Sequence, residues 1–244
     1  MKLYGLIGYP LGHSFSKKYF TEKFEREKLD CSYENYSIEN ITLLEKILQD
    51  NPGLLGLSVT IPYKEKVIPY LHEVAPDVAK IKACNSIRIR NGKLSGYNTD
   101  TIGFEQSLRT KLKPHHKSAL ILGTGGAARA VAWVLDKTGI PYTFVSRTPG
   151  EKAITYGDLD EKLIREHTLI VNASPVGMYP HSDKYPDIPY GGIGPHHFLF
   201  DLVYNPQKTI FLSRGEQRGA DIQNGLDMLV NQAEASWKIW NEAG

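Results

Sequence analysis

The chain has 244 residues, 41% hydrophobic and 23% charged, a mix that supports a packed core, allows two domains and excludes general disorder. Its 29 Lys and Arg against 27 Asp and Glu leave a formal charge of +2, without the basic block expected of a nucleic-acid binder. Cys31 and Cys84 form no disulfide framework, no apolar run reaches spanning length, and Met1 to Leu11 does not read as a signal peptide, so the expectation is a cytoplasmic protein with no membrane partner.

Short β-rich runs alternate with helical patterns from end to end, which predicts an α/β fold with parallel strands. Lys2 to Ile7 reads as the first strand, and Lys17 to Lys28, with Phe20 and Phe24 one helical turn apart, as a helix. Tyr33 to Ile38 predicts a strand, Ile41 to Leu48 a short helix, and Leu54 to Thr60 a third strand. Pro62 is expected to open a helix. Asn91-Gly92 between Ser86 to Arg90 and Lys93 to Tyr97 is a hairpin signal.

A polar stretch, Leu112 to Lys117, predicts the boundary between two lobes. Ala119 to Leu122 follows as a wholly apolar strand, then a glycine turn, a helix over Ala127 to Lys137 and a strand over Tyr142 to Ser146. Leu169 to Val171 and Phe198 to Val203 read as further strands, with a long Pro- and Gly-rich loop, Tyr179 to Pro195, between them. The last helix, Leu226 to Trp240, aligns Leu226, Leu229, Val230, Ala233, Trp237 and Trp240 on one stripe.

Gly123-Thr124-Gly125-Gly126-Ala127-Ala128 fits the G-x-G-x-x-G/A fingerprint between a buried strand and a helix. Gly123 allows the tight turn, Gly125 lets backbone approach a pyrophosphate, and small Ala128 permits close packing while the helix N-terminus faces the anion. An NAD site would carry an acid at the end of the next strand, roughly 20 residues on. This chain has Ser146-Arg147-Thr148 there, with no acid before Glu151. A permanently charged Arg147 fork suits a 2′-phosphate and favours NADP.

In the first lobe, polar residues gather after apparent strands: His13-Ser14-Phe15-Ser16, Ser58 to Lys64, and Asn98-Thr99-Asp100. Ligands of open α/β sheets collect at such strand ends. Each residue also has a structural reading: Ser16 and Asp100 as N-caps, Thr60 as a strand residue, Asn85 as a turn residue. Lys64 would meet the unfavourable end of a helix dipole, a small penalty that hints at function.

With these pieces in order along nearly the whole chain, the sequence resembles the shikimate dehydrogenase family. The resemblance is carried by Gly8 to Ser16, Val59 to Lys64, Ala83-Cys84-Asn85-Ser86, Gly96 to Asp100, Gly123 to Ala130, Ser146-Arg147-Thr148, Asn172 to Met178, Asp201 to Tyr204, and Gly225 to Leu229 with Gln232-Ala233. It implies NADP-dependent reduction of 3-dehydroshikimate to shikimate, on the route to chorismate and aromatic amino acids. Lys64 and Asp100 would be the catalytic pair. Ser14, Ser16, Thr60, Asn85, Tyr204 and Gln232 would hold the substrate's hydroxyls and carboxylate. Gly123, Thr124, Gly125, Gly126, Ala127, Ser146, Arg147, Thr148, Leu202 and Gly225 would surround the cofactor, with Asn172 and Met178 on the nicotinamide side.

The expected architecture is an N-terminal α/β substrate lobe, 1–100 completed by 221–244, and a Rossmann-type NADP-binding domain, 101–220, with the C-terminal helix returning to the first lobe. The chain departs from the family pattern at Lys17, where proline is common, at Thr101, where glycine is frequent, and at Ser146 and Glu151, with Lys152 as a substitute base. A quinate/shikimate dehydrogenase or a non-catalytic ligand-binding regulator on the same fold are the competing readings. No metal site is expected, because the pairs His115-His116 and His196-His197 lack ligand spacing. Oligomeric state, monomer or homodimer, stays open.

Overall fold

The computed structural model describes residues 1–12, 14–150 and 153–242. The chain folds as two compact units: Met1–Thr99 with the C-terminal segment from Ala233, and Asp100–Gln232. The Leu112 to Lys117 stretch therefore lies inside the second unit.

The first unit runs β1 (Lys2–Gly8), α1 (Phe15–Arg26), β2 (Cys31–Ser37), α2 (Leu44–Asp50), β3 (Leu54–Val59), β4 (Glu73–Val74), α3 (Pro76–Ile81), β5 (Ser86–Arg90) and β6 (Lys93–Tyr97). Its six-stranded sheet has the order β2-β1-β3-β5-β6-β4. The β1 strand pairs parallel with β2 and β3, whereas β5 runs antiparallel to both β3 and β6, so this sheet is mixed. Asn91 and Gly92 both take positive φ, 50° and 76°, as a tight hairpin turn requires. An α-helix at Pro62 does not form. Thr60 to Ile68 instead makes successive turns, Tyr63 N–H to Thr60 O, Val67 N–H to Tyr63 O and Ile68 N–H to Glu65 O. Buried Tyr63 anchors them by donating its hydroxyl to the Ile38 carbonyl at 2.5 Å. The helix-dipole argument for Lys64 falls with that helix.

The second unit begins with α4 (Thr99–Arg109), whose first residue belongs to the first unit, and continues through β7 (Ala119–Leu122), α5 (Gly126–Thr138), β8 (Tyr142–Ser146), β9 (Ala153–Thr155), α6 (Glu161–Glu166), β10 (Leu169–Asn172), β11 (Phe198–Asp201), α7 (Ile210–Glu216) and β12 (Asp221–Gln223). All neighbours in its sheet are parallel, in the order β12-β11-β10-β7-β8-β9. That is the doubly wound Rossmann order, with its switch point between β7 and β10. β7, β10 and β11 are buried throughout, as strands covered on both faces must be. Helix α5 ends at Gly139, φ 71°, whose left-handed backbone closes it.

Helix α8 (Leu226–Asn241) contributes to the second unit as far as Gln232 and to the first from Ala233. In the first unit, Trp240 is fully buried and stacks on Tyr4 with ring centroids 5.3 Å apart, while Trp237 meets Phe24 at 5.4 Å. Lys23, 5% exposed, pairs there with Glu234 at 2.9 Å and Glu27 at 3.0 Å, so its burial is matched by charge. The sequence stripe is corrected at one end: Leu226 is exposed and Met228 is the buried residue, packed with Phe104, Val131 and Phe200. The long loop after β10 is pinned by Ile188, Tyr190 and Ile193, all buried, and by Arg214, 3.9 Å above the Tyr185 ring.

Candidate active site

Because β5 is antiparallel to β3, residue Asn85, just before β5, shares one end of the first sheet with the residues following β1 and β3. Backbone bonds stitch that end together. Thr60 N–H donates to Ile7 O, Val59 N–H to Asn85 O at 2.8 Å, Cys84 N–H to Lys64 O at 2.7 Å, and Asn85 N–H to Tyr97 O. Thr60, Lys64 and Asn85 are thus held by the sheet, although each sits outside a regular element.

Ser14, not Ser16, caps α1: its hydroxyl accepts the Lys17 N–H at 3.1 Å. Ser16 lies in the first helical turn, and its hydroxyl hydrogen-bonds Tyr33, which donates in turn to Ser58 at 2.8 Å. Burial pushes the Tyr33 hydroxyl well above the usual tyrosine range. Asn85 is 4% exposed and its Oδ1 accepts the Thr99 N–H at 2.6 Å, so it holds the start of α4. Asp100 follows directly, in the first helical turn of α4 and not at its cap, where a carboxylate suits the dipole.

In the second unit, the glycine turn lies at the switch point. Gly123 has φ 120°, and a Cβ there would stand 3.3 Å from the Ala173 carbonyl, so both backbone and space call for glycine. Gly125 differs. Its φ is −74°, and a Cβ there would meet nothing within 4 Å. Thr124 and Gly125 are exposed, and Gly126 and Ala127 open α5, the amphipathic helix packed on β7. The open approach to Gly125 and the helix N-terminus behind it fit a dinucleotide pyrophosphate.

At the end of β8, the half-buried Ser146 accepts the Thr148 N–H at 3.3 Å and shapes the turn that exposes Arg147. His13, part of the family pattern, and Glu151 and Lys152, where the chain departs from it, lie outside the described residues. Gly225 is buried so tightly that a Cβ would collide with the Leu202 carbonyl. Met178 and Tyr204 are exposed, and Gln232 donates to Leu229 O at 2.9 Å.

Asn172 is fully buried, and its amide is spent within the protein on Asp201, Val176 and Ser174. The sequence marks Asp201 only as the start of a family motif, without a role, and does not mark Thr209, which shares this network; the local signal is an aspartate closing an apolar strand. Burial pushes the Asp201 carboxyl up to about 6, against hydrogen bonds from Thr209, Val203 and Asn172 that favour the ion.

The remaining polar groups read as structural. His116 Nδ1 accepts the Lys113 N–H, and burial lowers its pKa to about 4, so it stays neutral. Burial likewise pushes the Cys84 thiol up to about 12, which makes it unreactive. Among the described residues, no group of three or more His, Cys, Asp or Glu is arranged to hold a metal, and no helix is long and apolar enough to cross a membrane.

The model of the shikimate dehydrogenase substrate binding domain matches residues 6–87. A relative from Desulforamulus reducens, named shikimate dehydrogenase (NADP(+)), is 35% identical over 97% of this chain and 88% of its own length. One of the same name from Methanococcus maripaludis is 36% identical, covering 98% and 91%. The crystal structure of shikimate 5-dehydrogenase from Thermus thermophilus in complex with NADP(H) and shikimate superposes with a TM-score of 0.88 at 31% identity, covering 99% of this chain and 94% of that one.

Proposed function

We propose that this chain, which belongs to the shikimate dehydrogenase family, is an NADP-dependent oxidoreductase that interconverts 3-dehydroshikimate and shikimate. The observation that carries the reading is the second unit: an all-parallel Rossmann sheet whose switch point carries a glycine turn open at Gly125. We place its work in the cytoplasm, on the route to chorismate and aromatic amino acids.

When bound, the cofactor supplies the hydride and the protein supplies position and charge. Gly123 to Ala127 would hold the pyrophosphate on backbone N–H groups, and Arg147 with Ser146 and Thr148 would hold the 2′-phosphate. Leu202, Gly225, Met178 and the Asn172 loop would line the nicotinamide side. Ser14, Ser16, Thr60, Asn85, Tyr204 and Gln232 bind the substrate's carboxylate and hydroxyls. Serine and threonine hydroxyls and amides suit a polyol, since each can donate and accept.

Lys64 and Asp100 form the acid–base pair. In the reduction, the carbonyl oxygen would gain negative charge and take one proton. The Lys64 ammonium stabilises that charge and Asp100 shares the same oxygen; the proton comes from this pair. In the reverse direction the pair accepts the proton.

Purified full-length protein should turn over shikimate with NADP, read as NADPH absorbance. NAD and quinate serve as parallel arms. Preference for NAD or quinate would overturn the specificity while keeping the chemistry. Folded protein that binds NADP without turnover in any arm would sink the enzymatic reading.

A further inference from the structure

We propose that Asp201 is a positioning residue for the nicotinamide end of the cofactor, acting through the loops that follow β10 and β11. The inference rests on the NADP reading above and extends it to a residue outside the binding set.

Asn172 and Asp201 are the last residues of neighbouring parallel strands and stand opposite each other in register. Both are fully buried. Asp201 Oδ1 accepts the Asn172 side-chain N–H at 2.9 Å and the Val203 backbone N–H at 3.0 Å, and Oδ2 accepts the Thr209 hydroxyl at 2.5 Å. One carboxylate therefore ties the loop after β10 to the loop after β11 and to the start of α7, which Thr209 caps.

Asn172 passes the constraint on. Its Nδ2 also donates to Val176 O at 3.2 Å, and its Oδ1 accepts the Ser174 N–H at 3.2 Å and the Ser174 hydroxyl at 2.7 Å. Two donors and two acceptor sites are all used, leaving the amide nothing to offer a ligand. An ionised carboxylate can only accept, so it forces Asn172 to turn its NH₂ toward Asp201 and its oxygen toward Ser174. That orientation sets the turn leading into Gly177, at φ 91°, and Met178. Thr209 backs the same turn, its Cβ and Cγ2 standing 3.7 Å from where a Cβ on Gly177 would lie. On the other side, holding the Val203 N–H fixes the Leu202 carbonyl against which Gly225 is pressed. The backbone proposed to flank the nicotinamide is thus set from beneath by one buried acid, which the aqueous site does not touch.

The test compares Asp201→Ala, Asp201→Asn and Thr209→Val with the parent in the full chain. Steady-state turnover of shikimate with NADP is measured alongside the isotope effect from shikimate deuterated at the carbon that gives up hydride. Misplaced hydride transfer predicts an Asp201→Ala kcat about 10–100-fold lower, a larger isotope effect, and a shikimate KM within about twofold of the parent. Asp201→Asn keeps two acceptor bonds and should recover most of the loss; Thr209→Val should fall between. Should Asp201→Ala fail to fold, the Thr209→Val kcat and isotope effect carry the decision. Parent-like kcat in the folded Ala variant, or in Thr209→Val if it stands alone, overturns the proposal, as does an Asn variant as impaired as Ala. A parent chain inactive with shikimate and NADP would instead overturn the functional reading, and this inference with it.

Discussion

At the scale of single residues, three groups carry separable predictions. Lys64→Ala and Asp100→Asn should each lower turnover about 10²–10⁴-fold while circular dichroism stays that of the parent; near-normal turnover in either would remove that residue from the pair. Arg147 is exposed, so its loss should leave stability unchanged. Arg147→Ala should raise the KM for NADP about tenfold, the worth of a lost charge-assisted bond, and leave the KM for NAD where it was. Asp201 predicts a pH effect on stability. Its carboxyl is raised to about 6 in the folded chain against 3.8 ordinarily, so the folded state holds the proton more tightly. Its stabilising contribution is complete below the ordinary value and is lost as pH rises through about 6. The loss approaches about 3 kcal/mol, since each tenfold gain in proton affinity on folding is worth about 1.36 kcal/mol. Urea melts of the parent between pH 4 and 7 should show this decline relative to Asp201→Asn; parallel curves would refute it.

At the scale of elements, the glycine turn separates what the backbone needs from what a ligand needs. Gly123 is required by φ and by the Ala173 carbonyl, but Gly125 has ordinary φ and open space before it. Gly125→Ala should therefore melt like the parent yet bind NADP more weakly, by the about 1–3 kcal/mol that overpacking costs. Equal NADP affinity, measured calorimetrically, would show that the turn does not meet the pyrophosphate. The same turn is legible in sequence because glycine identity and the flanking strand and helix patterns are local. The segment at Pro62 is not, since its backbone follows from the buried Tyr63 anchor on Ile38, a contact between residues far apart in the chain. The short strands β4, β9 and β12 escape a periodicity reading for a related reason: two or three residues hold no period, and their extended form comes from a neighbouring strand.

At the scale of the whole molecule, α8 is the element on which the first unit's core depends. Trp240 closes on Tyr4, Phe20 and Gly56, where a Cβ would occupy the space the indole fills. Trp240→Ala should cost about 3–5 kcal/mol, read as a lower urea midpoint; a loss below about 1 kcal/mol would mean the helix end packs only loosely. The apolar stripe announces this helix, but its first residue, Leu226, is exposed and Met228 is buried in its place. Helical period gives a face, and the neighbours decide which part of the face is covered.

The sequence by itself determined the α/β class, the glycine turn, the Asn91-Gly92 hairpin and the family, because each rests on residue types at short spacing or on motifs in fixed order. Tertiary structure alone decided that β5 also runs antiparallel to β3 while the second sheet is wholly parallel, that Ser14 and not Ser16 caps α1, and that Asn85 holds the start of α4. It alone decided, too, that Asn172 turns inward to Asp201. These outcomes depend on strand register and on which buried polar group finds which partner. Such pairings are made between segments distant in sequence, where the cost of leaving a buried donor or acceptor unmet selects the arrangement.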